Sequence, residues 1–76
     1  MDETETLDLR GIPCPKNAAK ASLVLAGMDS GEKLTVLIDN GEPLENVPPA
    51  LEGEGHTIER TWPVSETATA LLVIVG

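Results

Sequence analysis

The spacing of apolar residues switches between two periods along this chain, and this switching limits the fold more than any other feature. Alternation with a period of two predicts strands, whereas apolar residues three and four positions apart predict helices. The predicted strands cover residues 4–9, 33–39, 56–62 and 67–75, and the predicted helices cover residues 16–28 and 44–54. This β-α-β-α-β-β order predicts an α+β two-layer sandwich, with a four-stranded mixed sheet and both helices on one face.

Two prolines interrupt the second predicted helix. Leu44, Val47 and Leu51 recur at helical spacing, but Pro48 and Pro49 fall between them. A proline inside a helix removes one backbone hydrogen bond and clashes with the preceding turn. We therefore expect a kinked or two-part helix that restarts at Pro48.

The length of the chain suits a single domain. Seventy-six residues with 41% hydrophobic content can build one small core, so we expect one domain over residues 1–76. Residues 1–5 are expected to form a disordered acidic tail, unlike the basic and apolar start of a signal peptide. No apolar run reaches the roughly 18 residues of a membrane span. A single cysteine cannot form an internal disulfide, and together these features predict a cytoplasmic protein without a membrane partner.

The net charge and the near absence of aromatic residues argue against nucleic-acid binding. The chain carries a net charge of −8, whereas binding to phosphate backbones needs many Lys or Arg contacts. Trp62 is the only aromatic residue, so a platform on which bases stack is also excluded. We expect no direct nucleic-acid partner.

The basic residues cluster around the single cysteine, Cys14. Residues 10–28 hold three of the five basic residues, Arg10, Lys16 and Lys20, and no acidic residue. One interpretation is a local positive potential that favours an ionised thiol. The alternative is that a helix surface simply carries solvated lysines.

The sequence around Cys14 predicts that the thiol lies at the start of the first helix. Pro15 suits the first helical position, which makes Cys14 the N-cap residue. The backbone N–H groups of Lys16 and Asn17 would then point towards the sulfur and stabilise a thiolate or a persulfide anion. The alternative is an inert, buried cysteine. The predicted nucleophile is Cys14, and the predicted binding or activating residues are Arg10, Pro15, Lys16, Asn17 and Lys20.

Five short motifs from Leu7 onward match a known family. They are Leu7-Asp8-Leu9-Arg10-Gly11, Cys14-Pro15, Gly31-Glu32, Asp39 and Gly55-His56. In these motifs the chain resembles the TusA (SirA-like) family of small sulfur-carrier proteins. The resemblance implies a fold like the C-terminal domain of translation initiation factor three. It also implies a sulfurtransferase that needs no cofactor, in which Cys14 accepts a sulfane sulfur as a persulfide. The donor would be a cysteine desulfurase or a rhodanese-like protein, and the acceptor another protein.

One residue departs from the family motif. The family has Cys-Pro-x-Pro, whereas this chain reads Cys14-Pro15-Lys16-Asn17. Asn17 keeps a backbone N–H that proline lacks, and it adds a side-chain amide beside the sulfur. The surface that partners recognise begins at this turn, so tRNA thiolation, cofactor assembly and sulfur oxidation all remain open as pathways.

Two further residues have competing interpretations. His56 is the only histidine, and a surface role at the start of a strand is favoured over a pair with the cysteine. One cysteine and one histidine fall short of a metal site. Asp39 is expected to line a pocket near the thiol, where its charge would oppose a thiolate.

A second functional hypothesis uses the sheet rather than the thiol. The last strand is apolar on both faces, and the helices can cover only one of them. An uncovered apolar face would suit a non-catalytic regulatory or protein-binding module. In this hypothesis glutamate at Leu71 or Val73 abolishes partner binding, while Cys14→Ala leaves it intact.

Overall fold

The computed structural model describes residues 5–76 and has the predicted order of elements. The strands are β1 (Glu5–Asp8), β2 (Lys33–Asp39), β3 (Thr57–Pro63) and β4 (Ala68–Ile74), and the helices are α1 (Lys16–Ala26) and α2 (Glu42–Gly53). The predicted α+β two-layer sandwich is therefore confirmed. Glu5, the last residue of the predicted acidic tail, belongs to β1, and the remainder of that prediction lies outside the described residues.

The four strands form one mixed sheet in the order β1-β2-β4-β3. β1 and β2 are parallel, with Leu7 opposite Val36, whereas β4 is antiparallel to both of its neighbours. A register shift between Ile58 and Arg60 places a bulge in β3. Because β1 and β2 are parallel, their carboxyl ends lie at the same edge of the sheet, and the two helices begin there.

The core lies between the helices and one face of the sheet. In α1 the buried apolar residues are Ala21 and Leu25, and in α2 they are Val47 and Leu51, each pair spaced by one helical turn. Their partners on the sheet alternate along β2 and β4. The whole cluster is Leu9, Ala21, Leu25, Leu34, Val36, Ile38, Val47, Leu51, Leu71, Val73 and Val75.

The alternation of β4 corrects one prediction about the second face of the sheet. Leu71 and Val73 are fully buried in the core beneath the helices, so they do not belong to an uncovered face. Leu72 and Ile74 point to the opposite side, where they are half-buried on the same face as Leu37 of β2. Substitutions at Leu71 or Val73 would therefore test folding rather than partner binding.

Helix α2 runs through both prolines, which corrects the expected restart at Pro48. The helix begins at Glu42 and continues to Gly53. Local rules predict a break because each internal proline lacks the N–H that would donate to the carbonyl four residues earlier. Val47 and Leu51 flank the prolines and are fully buried, and their burial contributes about 1.5–3 kcal/mol each. Packing against the sheet thus offsets the lost hydrogen bonds.

Replacing Pro49 with alanine is expected to stabilise the domain. Pro49 is exposed, so little packing is lost, and alanine restores the N–H that can donate to the carbonyl of Glu45. A proline inside a helix costs about 3 kcal/mol. Alanine also makes the unfolded chain more flexible than proline does, and this lowers the gain in stability by about 1 kcal/mol. Urea unfolding should show a net increase of about 2 kcal/mol in the free energy of unfolding.

Pro43 provides the matched control. It lies in the first turn of α2, where an N–H has no partner within the helix. Pro43→Ala should therefore give no comparable gain. A Pro49→Ala variant no more stable than the wild type would contradict the explanation given for α2.

Candidate functional site

The loop between β1 and α1 is tied to the end of β2. Gly11 has a φ of 81°, a left-handed conformation that favours glycine. Its backbone N–H donates a hydrogen bond of 2.7 Å to Oδ2 of Asp39. Leu9 extends the pairing of the parallel strands, because its N–H donates to the carbonyl of Leu37 at 2.8 Å. These bonds fix the loop that leads to Cys14.

An open pocket of about 340 Å³ lies at this edge of the sheet. Its walls come from the β1–α1 loop, the end of β2 and the start of α2. The lining residues are Gly11, Ile12, Pro13, Cys14, Asp39, Glu42 and Pro43. A crevice at the carboxyl ends of parallel strands is a common ligand position in α/β folds. Cys14 is partly exposed, and the prediction that Asp39 lines a pocket with the thiol is confirmed.

The start of α1 differs from the predicted arrangement. Pro15, not Cys14, is the N-cap residue, and Lys16 is the first helical residue. The Cys14–Pro15 peptide bond is cis. The backbone N–H of Asn17 donates to the carbonyl of Pro13 at 3.2 Å rather than to the sulfur. The expected use of this backbone N–H by the thiol is therefore wrong.

The side chain of Asn17 contacts the sulfur instead. Its Nδ2 lies 3.2 Å from Sγ of Cys14 and donates a hydrogen bond to it. Its Oδ1 accepts a hydrogen bond of 2.6 Å from the backbone N–H of Ala18. Asn17 is fully buried, and its amide is thus enclosed between the helix backbone and the thiol.

Arg10 is engaged by Asp8. Its Nε donates to Oδ1 at 2.9 Å and its Nη2 donates to Oδ2 at 2.7 Å. Its backbone N–H also donates to Oδ1 at 3.0 Å. The side-chain hydrogen bonds, followed by the backbone bond, lower the pKa of Asp8 to about 2. Much of the charge of this guanidinium is therefore matched by a carboxylate two residues away.

The predicted basic surroundings of the thiol are not reproduced in the pocket lining. Arg10, Lys16 and Lys20 are exposed and do not belong to the lining, whereas two carboxylates, Asp39 and Glu42, do. Of the predicted activating residues, the structure joins Asn17 to the sulfur by a hydrogen bond, and Pro15 follows Cys14 directly. The charged residues that line the pocket with the thiol are therefore both acidic.

Removing Arg10 should raise the pKa of Asp8. In Arg10→Met the side-chain hydrogen bonds are lost but the backbone bond remains. The pKa should therefore rise from about 2 towards, without reaching, 3.8. Because the folded-state pKa is depressed, the pair contributes stability above pH 3.8 and loses it as the pH falls through about 2. An NMR titration of the Asp8 carboxyl measures this shift.

Lys33 supplies the control for that titration. Its Nζ lies 3.5 Å from Oε1 of Glu59 in another exposed ion pair. Lys33→Met should leave the titration of Asp8 unchanged. An unshifted Asp8 in Arg10→Met would show that the side-chain hydrogen bonds do not hold its pKa low.

His56 lies at the opposite edge of the sheet from the thiol. Asp39 of β2 pairs with Ala68 at the start of β4, whereas Thr57 pairs with Ile74 at its end. The Nδ1 atom of His56 accepts a hydrogen bond of 3.1 Å from the backbone N–H of Gly76. The histidine is therefore not a partner of Cys14.

Within residues 5–76 no group of three His, Cys, Asp or Glu side chains is placed to hold a metal ion.

Sequence reasoning missed the contribution of α2 to the pocket. Glu42 and Pro43 line it, although the second helix was predicted to begin only at Leu44. The sequence contained the information needed to predict this contribution, because the segment after the second of two parallel strands begins next to the end of the first strand.

Over the described part of the chain, no helix is long and apolar enough to cross a membrane.

Comparisons with known proteins agree with this geometry. The family described as Sulfurtransferase TusA matches residues 5–73. A protein from Archaeoglobus fulgidus, named as a candidate sulfur carrier protein, is 36% identical over 73 residues, covering 96% of this chain and 83% of its own. The crystal structure of a SirA-like protein from Desulfitobacterium hafniense is 26% identical, with a TM-score of 0.81. That similarity covers 96% of this chain and 99% of the other. The family match covers both helices and all four strands except Ile74, the last residue of β4, and it includes every residue that lines the pocket.

Proposed function

This chain belongs to the TusA sulfurtransferase family of sulfur carriers, and from that premise we propose that it carries sulfur as a persulfide on Cys14. The observation that carries the proposal is the setting of this thiol. It is the only cysteine, it is partly exposed on the wall of an open pocket, and an amide N–H donates to its sulfur at 3.2 Å. A sulfur in this position is accessible to a partner and is hydrogen-bonded on its inner side.

Loading is a transfer between two sulfur atoms. The thiolate of Cys14 attacks the outer sulfur of a persulfide on the donor protein, and a new S–S bond forms. The S–S bond of the donor breaks, and its cysteine leaves as a thiolate. One S–S bond forms as the other breaks and the outer sulfur keeps its oxidation state, so no external oxidant or reductant is needed. A cysteine desulfurase or a rhodanese-like protein has the persulfide that this step requires.

Discharge repeats the same exchange in the other direction. A thiolate of the acceptor protein attacks the outer sulfur on Cys14, and the S–S bond to Sγ breaks. Cys14 is then released as a thiolate, ready for another cycle. Both steps need the outer sulfur to be reached along the S–S axis, and the pocket beside Cys14 leaves room for an attacking side chain.

The charge of the pocket suits basic partners. Asp39 and Glu42 line it, and the chain as a whole carries a net charge of −8. Complementary charge raises the association rate of two proteins and suppresses encounters with partners of like charge. We propose that donor and acceptor present their reactive cysteines on segments that carry Lys or Arg.

The test is to load the protein with sulfur and weigh it intact. One sample of the chain is incubated with a cysteine desulfurase and free cysteine, and a separate sample with a rhodanese and thiosulfate. We expect a gain of one sulfur atom that a reducing thiol removes. A sample alkylated beforehand at Cys14, the only cysteine, is the control and should gain nothing. Absence of the adduct with both donors, or its presence on the alkylated sample, would contradict the proposal.

A further inference from the structure

We infer that the side-chain amide of Asn17 stabilises Sγ of Cys14 as the leaving thiolate when the outer sulfur is passed on. The inference deepens the proposed function and rests on it. It goes beyond the presence of a thiol, because it assigns this buried amide to discharge, the step in which Sγ must accept an electron pair.

The hydrogen bonds around Asn17 fix which end of the amide faces the sulfur. The backbone N–H of Ala18 can only donate, and it lies 2.6 Å from one atom of the amide, which must be the oxygen Oδ1. The NH₂ group is therefore the end that lies 3.2 Å from Sγ. An NH₂ group can only donate, so it offers the sulfur an N–H in every protonation state of the thiol.

Burial holds this amide in place. Asn17 is the one polar side chain in the described range, residues 5–76, that is fully buried. Rotating the amide would remove the acceptor of the Ala18 N–H and leave buried polar groups without partners, which is costly. The donor is thus organised before the reaction and need not be recruited from water.

The position of the donor predicts unequal effects on the two reactions of the thiol. In discharge the S–S bond breaks and Sγ takes the electron pair, so an N–H on Sγ speeds its departure. When the ionised thiol acts as a nucleophile, the same N–H makes the sulfur less reactive. Removal of the donor should therefore slow discharge without slowing attack by a fully ionised thiolate. A general loosening of the site would not produce this split.

The discharge rate can be measured without a partner protein. Cys14 is first converted to a mixed disulfide with 5-thio-2-nitrobenzoate, and hydrosulfide then displaces the aromatic thiolate to give the persulfide. Cyanide attacks the outer sulfur, the S–S bond breaks, and thiocyanate and the Cys14 thiolate are formed. The measured quantity is the rate of thiocyanate release in the wild type, Asn17→Ala and Asn46→Ala. Asn46 is an exposed asparagine of α2 that does not line the pocket, and it makes the matched substitution.

We expect thiocyanate release from Asn17→Ala to be slower by about tenfold or more, the effect of one hydrogen bond to a charged group. In the same variant, alkylation of the thiol by iodoacetamide at alkaline pH should be as fast as in the wild type or faster. Asn46→Ala should match the wild type in both reactions. Equal thiocyanate release from Asn17→Ala and the wild type, or equal slowing of both reactions, would overturn the inference.

A second variant covers the case in which Asn17→Ala does not fold. Asn17→Asp keeps an oxygen for the N–H of Ala18 but loses the donor to Sγ, so the same slow release is expected from it. Because the persulfide is made chemically, this test does not depend on loading by a desulfurase or rhodanese. A protein that no donor loads would refute the proposed function. A normal release rate in both Asn17 variants would refute only the role of the amide and would leave the proposed function standing.

Discussion

Replacing Cys14 with serine is expected to abolish sulfur loading and to leave the domain folded. A serine hydroxyl is far less ionised than a thiol at neutral pH, and its oxygen does not form a stable bond with sulfane sulfur. The fold should survive because Cys14 lies outside the core cluster and serine is similar in size. Intact mass after incubation with a desulfurase should show no added sulfur.

Two measurements serve as controls for this result. Urea unfolding should give Cys14→Ser a midpoint within the error of the wild type, which excludes loss of the fold as the reason for inactivity. Competition with labelled wild-type protein should show that the variant still binds the desulfurase, since the pocket walls are unchanged. Sulfur recovered on the variant would place the carrier atom elsewhere in the chain and remove the basis of the mechanism.

Glutamate at Leu71 is expected to unfold the domain, whereas glutamate at Leu72 should leave it folded. Leu71 is fully buried beneath the helices, opposite Val36. A carboxylate there loses its hydration, and the leucine side chain no longer fills the core, which together cost several kcal/mol. A domain of this size has a total stability of about 5–10 kcal/mol. Circular dichroism should show Leu71→Glu largely unfolded at 25 °C.

Leu72 is the neighbouring residue on the other face of the same strand. It is half-buried, and its side chain points away from both helices, so a glutamate there can reach water. The free energy of unfolding should fall by about 1 kcal/mol at most. If Leu72→Glu unfolds the protein while Leu71→Glu does not, the assignment of the two faces is reversed.

The alternation of apolar residues was enough to predict the sheet. The bounds of β2 were predicted to the residue, because Leu34, Val36 and Ile38 alternate with residues of the opposite face. On β4 the same rule could not choose a face, since both sides are apolar. That choice depends on which side the helices cover, and Leu71 and Val73 settle it only in the folded structure.

The helix starts and the charges of the site were harder to predict. The sequence located the start of α1 within one residue, but the direction of a single N–H depends on backbone angles at Cys14 and Pro15. The positive potential around the thiol was predicted from basic residues that are close to Cys14 in sequence. The pocket draws its carboxylates from Asp39 and Glu42, which come close only through the pairing of parallel strands. The pairing of Arg10 with Asp8 is local and could have been anticipated.

The bulge in β3 has a consequence for how this protein can meet other chains. β1 and β3 are the outer strands, and their free N–H and C=O groups could add a strand from another molecule. The bulge between Ile58 and Arg60 breaks the regular ladder that such an addition needs, and Pro63 at the end of β3 has no N–H to offer. β1 has four residues within the described part of the chain. The margins of the sheet thus resist the growth of intermolecular β-structure, and a domain that repeatedly contacts other proteins is protected from aggregating with them.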